Sequence, residues 1–245
     1  MAGSEHTTPK PEHSALHSNQ PVESHVSPWL TKIIHPLGQY IVLPGFFREI
    51  EILGKEYIPH TGAVILAPTH RTRWDALLIA YAVGPYVTGR SSRIMVTTDE
   101  MKGIQGWFLR RLGCFAIDTT KRSLAVIRHS VELLHQGEML TIFPEGELMR
   151  DRVLHPLKEG LSRIAMQAVS LKPDLDLKII PIDLDYEHPY PKFRDRVTVE
   201  LGKPLQVNDY QQFSSKTGAK KLHQDLTHSL EDLMQRSSQK STQNS

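Results

Sequence analysis

The 245 residues carry 29 Lys and Arg against 27 Asp and Glu, a net charge of +2, with 39% hydrophobic content, which suits one globular unit of ordinary size with ample core material. So even a balance gives no bulk attraction to nucleic acid, and no Lys/Arg block or aromatic-rich binding strand accompanies it. The one cysteine, Cys114, excludes an intramolecular disulfide framework and suits a reducing compartment; lying between Gly113 and Phe115, it reads as a buried structural thiol.

Residues 1–27, with Pro9, Pro11, Pro21 and many Ser and His, have no apolar secretory core and read as a disordered tail. His6, His13, His17 and His25 are too scattered there to hold a metal. From residue 28 to 47 the chain turns apolar. Trp29, Leu30, Ile33, Ile34, Leu37, Tyr40 and Ile41 follow helical spacing, with Pro36 and Gly38 placed to kink or divide the helix. This amphipathic segment suits either the core or a bilayer interface. No apolar run reaches the ~18 residues of a membrane-spanning helix.

Arg48–Leu53 alternates polar and apolar residues as a half-exposed strand would, and Ala63–Ala67 reads as a buried one. A helix follows from Ala76. Further strands are expected at 93–97, 114–117, 139–143, 178–184 and 196–201, with helices at 101–112, 124–135 and 161–169 between them. Residues 101–112 pair Ile104, Trp107 and Phe108 with Lys102, Arg110 and Arg111, a second face suited to lipid. A charged helix is expected from Asp209 to about Arg236, with 237–245 frayed. Strands alternating with helices predict an α/β sandwich with a mostly parallel central sheet flanked by helices, preceded by the amphipathic N-terminal segment. Residues 48–236 form its main domain.

The chemistry centres on the turn between the buried strand and the following helix, where four residues separate His70 from Asp75. Reactive groups of open α/β sheets gather beyond the carboxyl ends of strands, and a carboxylate can fix the tautomer of an imidazole and stabilise its cation. Residues five apart lie ~140° apart around a regular helix, so the two meet only if His70 precedes the first turn.

With these pieces placed, the chain resembles the glycerolipid acyltransferase family typified by 1-acylglycerol-3-phosphate acyltransferase, over about 150 residues from Gly54 to Pro204. His70 to Asp75 stands as the family's first block, Gly113 to Asp118 as the second, Phe143-Pro144-Glu145-Gly146 as the third and Ile180-Pro181-Ile182 as the fourth; Leu157 to Gly160 matches the stretch that opens the helix after the third block. The resemblance implies that His70 takes the proton of an acceptor hydroxyl while Asp75 orients the imidazole. Phe143, Pro144, Glu145 and Gly146 would hold the acceptor or the loop near His70. Backbone N–H groups of the Gly146 turn are candidates for the oxyanion. The resemblance also implies acyl-CoA or acyl-acyl-carrier protein as co-substrate, no cofactor, and a peripheral or monotopic place on the cytoplasmic side of a membrane; no metal is expected, because no second His clusters with His70, Asp75 and Glu145 at a recognised ligand spacing.

Two departures stand out. Members with phosphorylated acceptors usually carry Arg where this chain has Thr119 and Leu148, so Arg122 and Arg150 are the candidates to bind the acceptor, among nearby Arg71, Arg73, Lys121 and Arg152. The acceptor therefore stays open between 1-acylglycerol-3-phosphate, another lysophospholipid, and a neutral alcohol such as diacylglycerol or an isoprenoid alcohol. A catalytically silent membrane-binding module is the rival from another class.

Overall fold

The structure is a computed structural model that describes residues 26–117 and 124–243, with side chains through residue 239. Its strands are β1 (Glu49–Leu53), β2 (Ala63–Pro68), β3 (Ser92–Thr97), β4 (Phe115–Ile117), β5 (Met139–Thr141), β6 (Leu177–Tyr186), β7 (Arg196–Leu201) and β8 (Leu205–Gln206). Its helices are α1 (Pro28–Leu37), α2 (Leu43–Phe46), α3 (Asp75–Val83), α4 (Pro85–Thr88), α5 (Gly103–Arg111), α6 (Leu124–His135), α7 (Gly160–Leu171) and α8 (Ser215–Gln243).

The strands join in one sheet of order β1-β7-β6-β2-β5-β3-β4. Strands β6, β2, β5, β3 and β4 run parallel, as the alternation of strands and helices predicts. Strand β7 returns antiparallel to β6, carrying β1 parallel to itself, while β8 pairs with the start of β6.

Strand β2 is the most shielded, buried at all six positions. Its residues alternate between two cores. Ala63, Ile65 and Ala67 pack with the layer of α6, α7 and α8, whereas Val64 and Leu66 pack with Leu78, Ile79, Ala82 and Val83 of α3 and with Leu43 and Phe47. A strand covered on both faces must be apolar throughout, which is why Ala63–Ala67 reads as an unbroken greasy run. Flanked by β5 and β6, β2 delivers the residues that follow it into the space between the loops leaving those two strands.

The N-terminal segment is divided where Pro36 and Gly38 stand: α1 gives way to a π-helical stretch over Gly38–Val42 before α2, since proline removes one helical donor and crowds the preceding turn. Leu30, Leu43 and Phe47 are buried, while Trp29, Ile33, Leu37, Tyr40 and Ile41 stay exposed. On α5, Ile104, Trp107 and Phe108 are exposed as well. Ser27 N–H donates to the Arg111 carbonyl at 2.8 Å, and Val26 bridges to Leu112, so the start of the N-terminal segment meets the C-terminal end of α5. The guanidinium of Arg111 sits 3.8 Å from the Trp107 ring. Among the described residues no helix is long and apolar enough to cross a membrane.

The C-terminal helix differs from expectation at both ends. It begins at Ser215 rather than Asp209, because Val207–Tyr210 forms a short 3-10 turn and the Ser214 hydroxyl accepts from the N–H of Thr217, closing the helix end. It runs on to Gln243, past the fraying expected from residue 237. Leu222, Leu226, Leu230 and Leu233 anchor it in the core, and Ser237 is still buried. Of the predicted disordered tail, residues 1–25 lie outside the described residues.

Candidate active site

The segment Thr69–Trp74 joins β2 to α3, and its first four residues are held by three buried carboxylates. Thr69 Oγ1 donates to Asp183 Oδ1 at 3.1 Å and accepts from Leu184 N–H at 3.0 Å. The backbone N–H of His70 donates to Glu145 Oε2 at 2.9 Å. Those of Arg71 and Thr72 donate to Asp75 Oδ2 at 2.6 and 2.9 Å. Each peptide is thus fixed by an acceptor, so the loop presents His70 from a rigid base.

His70 lies before the first turn of α3 and Asp75 opens that helix, the condition under which residues at this spacing can meet. They do: His70 Nδ1 stands 2.7 Å from Asp75 Oδ2. Asp75 is fully buried, while the imidazole side chain is 24% exposed, so the ring bridges the interior and the surface. Its face stacks on Phe143 with centroids 4.1 Å apart. With Nδ1 donating to Asp75, Nε2 is left as the acceptor nitrogen; among the described residues it has no hydrogen-bond partner. A neutral imidazole with one nitrogen tied to a carboxylate and the other open is equipped to take a proton.

The far oxygen of Asp75 is also occupied. Tyr186 OH donates to Oδ1 at 2.6 Å, and Thr72 Oγ1 lies 3.1 Å from Oδ1 and 2.9 Å from the phenol oxygen. Burial first, then the adjacent Asp75 charge, push the Tyr186 phenol well above its ordinary range, which keeps its proton in place as a donor. Tyr186, Thr72 and Thr69 were not apparent in the sequence. Tyr186 lies 111 positions beyond Asp75 at the end of an apolar strand, and no local spacing signals the contact.

Within the third block, Phe143 and Gly146 are half-buried, while Pro144 and Glu145 are buried. Glu145 is buried, and its oxygens receive both Arg71 Nη1, at 2.9 and 3.0 Å, and the backbone N–H groups of His70 and His155. Of the two roles expected for it, these contacts are those of holding the loop. Pro144 is buried and its carbonyl accepts from Lys158 N–H at 2.7 Å. Gly146 has φ +75°, the left-handed conformation that favours glycine, and a Cβ there would displace the flexible Lys158 side chain, whose Cγ lies 3.0 Å away. Its N–H donates to the Phe143 carbonyl at 3.1 Å. That donor, one of those considered for the oxyanion, is used inside the turn.

The basic candidates separate in the same way. Arg71 is buried against Glu145, Arg152 donates to the Tyr186 carbonyl and pairs with Asp185, and Arg73 pairs with Glu100. Arg150 is exposed, its guanidinium 4.5 Å from the ring of Tyr190 on the β6–β7 hairpin. Leu148 is half-buried. Thr119, Lys121 and Arg122 lie outside the described residues. Cys114 is buried, and burial pushes its thiol up to about 12, which leaves it without the thiolate a nucleophile needs.

A family model described as Acyltransferase matches residues 49–185, more than half of the chain. The chain belongs to the acyltransferase family. It is similar to the 1-acyl-sn-glycerol-3-phosphate acyltransferase of Streptococcus pneumoniae, 28% identical over 152 residues, which span 59% of this chain and 51% of that protein. It is also similar to the glycerol-3-phosphate acyltransferase of Alteromonas mediterranea, 32% identical over 58% of this chain and 17% of that protein. Glycerol-3-phosphate O-acyltransferase 1 of Saccharomyces cerevisiae is 38% identical over 31% of this chain and 10% of its own length. The chain therefore spans from a tenth to about half of these relatives. The crystal structure of the acyltransferase PlsC from Thermotoga maritima shares the fold, with a TM-score of 0.60 over 83% of this chain and 79% of that one, at 19% identity.

The clamped loop carries two predictions. Replacing Glu145 by Ala leaves the Arg71 guanidinium buried and unpaired, and breaking a buried pair in this way costs about 3–5 kcal/mol; urea denaturation of Glu145→Ala should show a loss of that order, and a change near zero would contradict the support role. Asp183 is the second case. Burial pushes its carboxyl from 3.8 up to about 6, so the folded protein is penalised for ionising it at neutral pH and gains stability as pH falls from about 6 toward 4. On passing from pH 5 to pH 7.5, Asp183→Asn should gain about 1–3 kcal/mol relative to the parent. A stability difference that stays constant across that range would refute this.

Proposed function

We propose that the chain is an O-acyltransferase that moves a fatty acyl group from acyl-CoA or acyl-acyl-carrier protein to the free hydroxyl of 1-acylglycerol-3-phosphate, giving phosphatidic acid, at a membrane surface. The observation that carries this reading is the orientation of His70, with Nδ1 held by the buried Asp75 and Nε2 unoccupied. In this mechanism Nε2 accepts the proton of the acceptor hydroxyl as its oxygen attacks the thioester carbonyl. Collapse of the tetrahedral species breaks the C–S bond, and the thiolate leaves with the proton returned from the imidazolium. No covalent enzyme intermediate is required, in keeping with the inert, buried Cys114.

A phosphorylated acceptor is favoured because relatives named for glycerol-3-phosphate and for 1-acyl-sn-glycerol-3-phosphate both act on phosphate monoesters. In this chain the group we assign to the phosphate is Arg150, exposed and held by an aromatic ring rather than by a carboxylate. The membrane is supported by exposed apolar side chains on both stretches, Trp29, Ile33 and Ile41 of the N-terminal segment and Ile104 and Trp107 of α5, with Arg110 and Arg111 in the last turn of α5. Aromatic, aliphatic and basic side chains together are the composition that binds an anionic interface.

The experiment is transfer of a labelled acyl group from each thioester donor to 1-acylglycerol-3-phosphate, with diacylglycerol and lysophosphatidylcholine as parallel acceptors. The phosphate monoester should be preferred, and His70→Ala should reduce transfer by about 10³-fold or more while the fold persists. Near-normal turnover by that variant removes His70 as the base, and preference for a neutral acceptor removes the phosphate assignment. In flotation with vesicles containing anionic lipid, the parent should rise with the lipid, and a Trp29→Asp, Ile33→Asp, Ile41→Asp triple variant should remain at the bottom. Equal flotation of the two would place the lipid contact elsewhere.

A further inference from the structure

We infer that Tyr186 is a positioning residue for the His70–Asp75 pair, its phenol restraining the carboxylate from the side opposite the imidazole and so setting how firmly Asp75 holds the proton on His70. The inference rests on the reading of His70 as general base, and it goes beyond the two residues that define that reading.

The carboxylate is shared unevenly. Oδ2 receives His70 Nδ1 and two backbone N–H groups, and Oδ1 receives hydroxyl groups. Thr72 Oγ1 has one proton to divide between Asp75 and the phenol oxygen, and it already accepts from Trp74 N–H at 3.0 Å. Tyr186 is therefore the firm donor to Oδ1, at 2.6 Å. Hydrogen bonds to a charged acceptor are the strong ones, and this one is 4% exposed, where water cannot replace it. Each donor that stabilises the carboxylate lessens its pull on an imidazolium; removing the phenol strengthens that pull and makes His70 hold its proton more tightly.

The surroundings leave few competing sources of charge. From the loop before α3, Arg71 turns its guanidinium to Glu145, and on the loop after β5 Glu145 is fully engaged by it. On β6, Asp185 is paired with Arg152, which also reaches the Tyr186 carbonyl, and Asp183 faces Thr69. From the N-terminal segment only the uncharged ring of Phe47 approaches, 6.2 Å from that of Tyr186. The phenol is thus the polar contact to Asp75 that comes from outside its own loop, and a Phe side chain would fill the same space.

The test compares Tyr186→Phe with the protein carrying 3-fluorotyrosine at position 186, a more acidic phenol and hence a stronger donor. Two quantities are read: the acidic limb of kcat/KM against pH, and the NMR titration of the His70 ring proton in the resting protein, assigned from the signal lost in His70→Ala. In Tyr186→Phe both should move up by about half to one pH unit, and kcat at pH 7 should fall roughly three- to tenfold with KM within about twofold. With fluorotyrosine both should move the opposite way. A purely packing role gives neither shift, and a His70 titration unmoved in both proteins overturns the inference. A titration that moves while the acidic limb stays still leaves Tyr186 acting on the pair and removes His70 as the base.

Discussion

The structure of the site depends on one acceptor, the carboxylate of Asp75. It is fully buried and receives donors from the His70 ring, from two successive peptides, and from the hydroxyl groups of Thr72 and Tyr186. Burying an anion costs several kcal/mol unless its lone pairs are met, and here the chain meets them by wrapping the loop around the carboxylate. The four residues between His70 and Asp75 are the length that this wrapping uses. A residue fewer would draw one of the two peptide donors off Oδ2, and a regular helical path would turn the imidazole away.

A second buried pair ties that loop to the rest of the sheet. Arg71 and Glu145 lie on the loops that leave the adjacent strands β2 and β5, and Glu145 also receives the backbone of His70 and of His155. Such a pair gains little over an apolar one in stability, because desolvation offsets the attraction. Its value is register: Arg71 Nη1 meets both oxygens of one carboxylate, and this fixes where the turn after β5 sits against His70. The stacking of Phe143 on the imidazole is set by the same arrangement. Asp183, through Thr69, does the equivalent from β6. The loop is thus clamped from both neighbouring strands, and His70 inherits its precision from the central position of β2.

Much of this was legible in the sequence. Helix α6 and strand β7 occupy the residues that periodicity assigns to them, and the unbroken apolar run of β2 announces a strand buried on both faces. The reversal of β7 was not legible, because alternation along a strand is the same in either direction. Nor was the partition of the charged residues. Arg71 and Arg150 look alike in sequence, yet one is buried in an ion pair and the other lies on the surface over Tyr190; the difference comes from which strand ends the sheet brings together. Tyr186 is the clearest case. It stands at the end of β6, where an aromatic residue reads as packing, and its role arises from a contact 111 residues distant in the chain.

The N-terminal segment shows how the same contacts extend outward. Division of the chain at residue 47 follows composition, but the packing runs across that point. Phe46 stacks on Trp74 with centroids 4.5 Å apart, and Phe47 lies edge-on to the same indole at 5.6 Å and against Tyr186 at 6.2 Å. Trp74 precedes Asp75 directly, and Tyr186 is its hydrogen-bond donor. The end of the apolar segment therefore packs on the residues that position the carboxylate, while its beginning leaves Trp29, Ile33, Tyr40 and Ile41 exposed. Aromatic rings at these distances and angles hold one another in place, with Phe47 and Tyr186 in the close-packed interior and Phe46 and Trp74 at its edge. The end of the N-terminal segment and the turn that carries His70 are in this way joined by one set of packed rings.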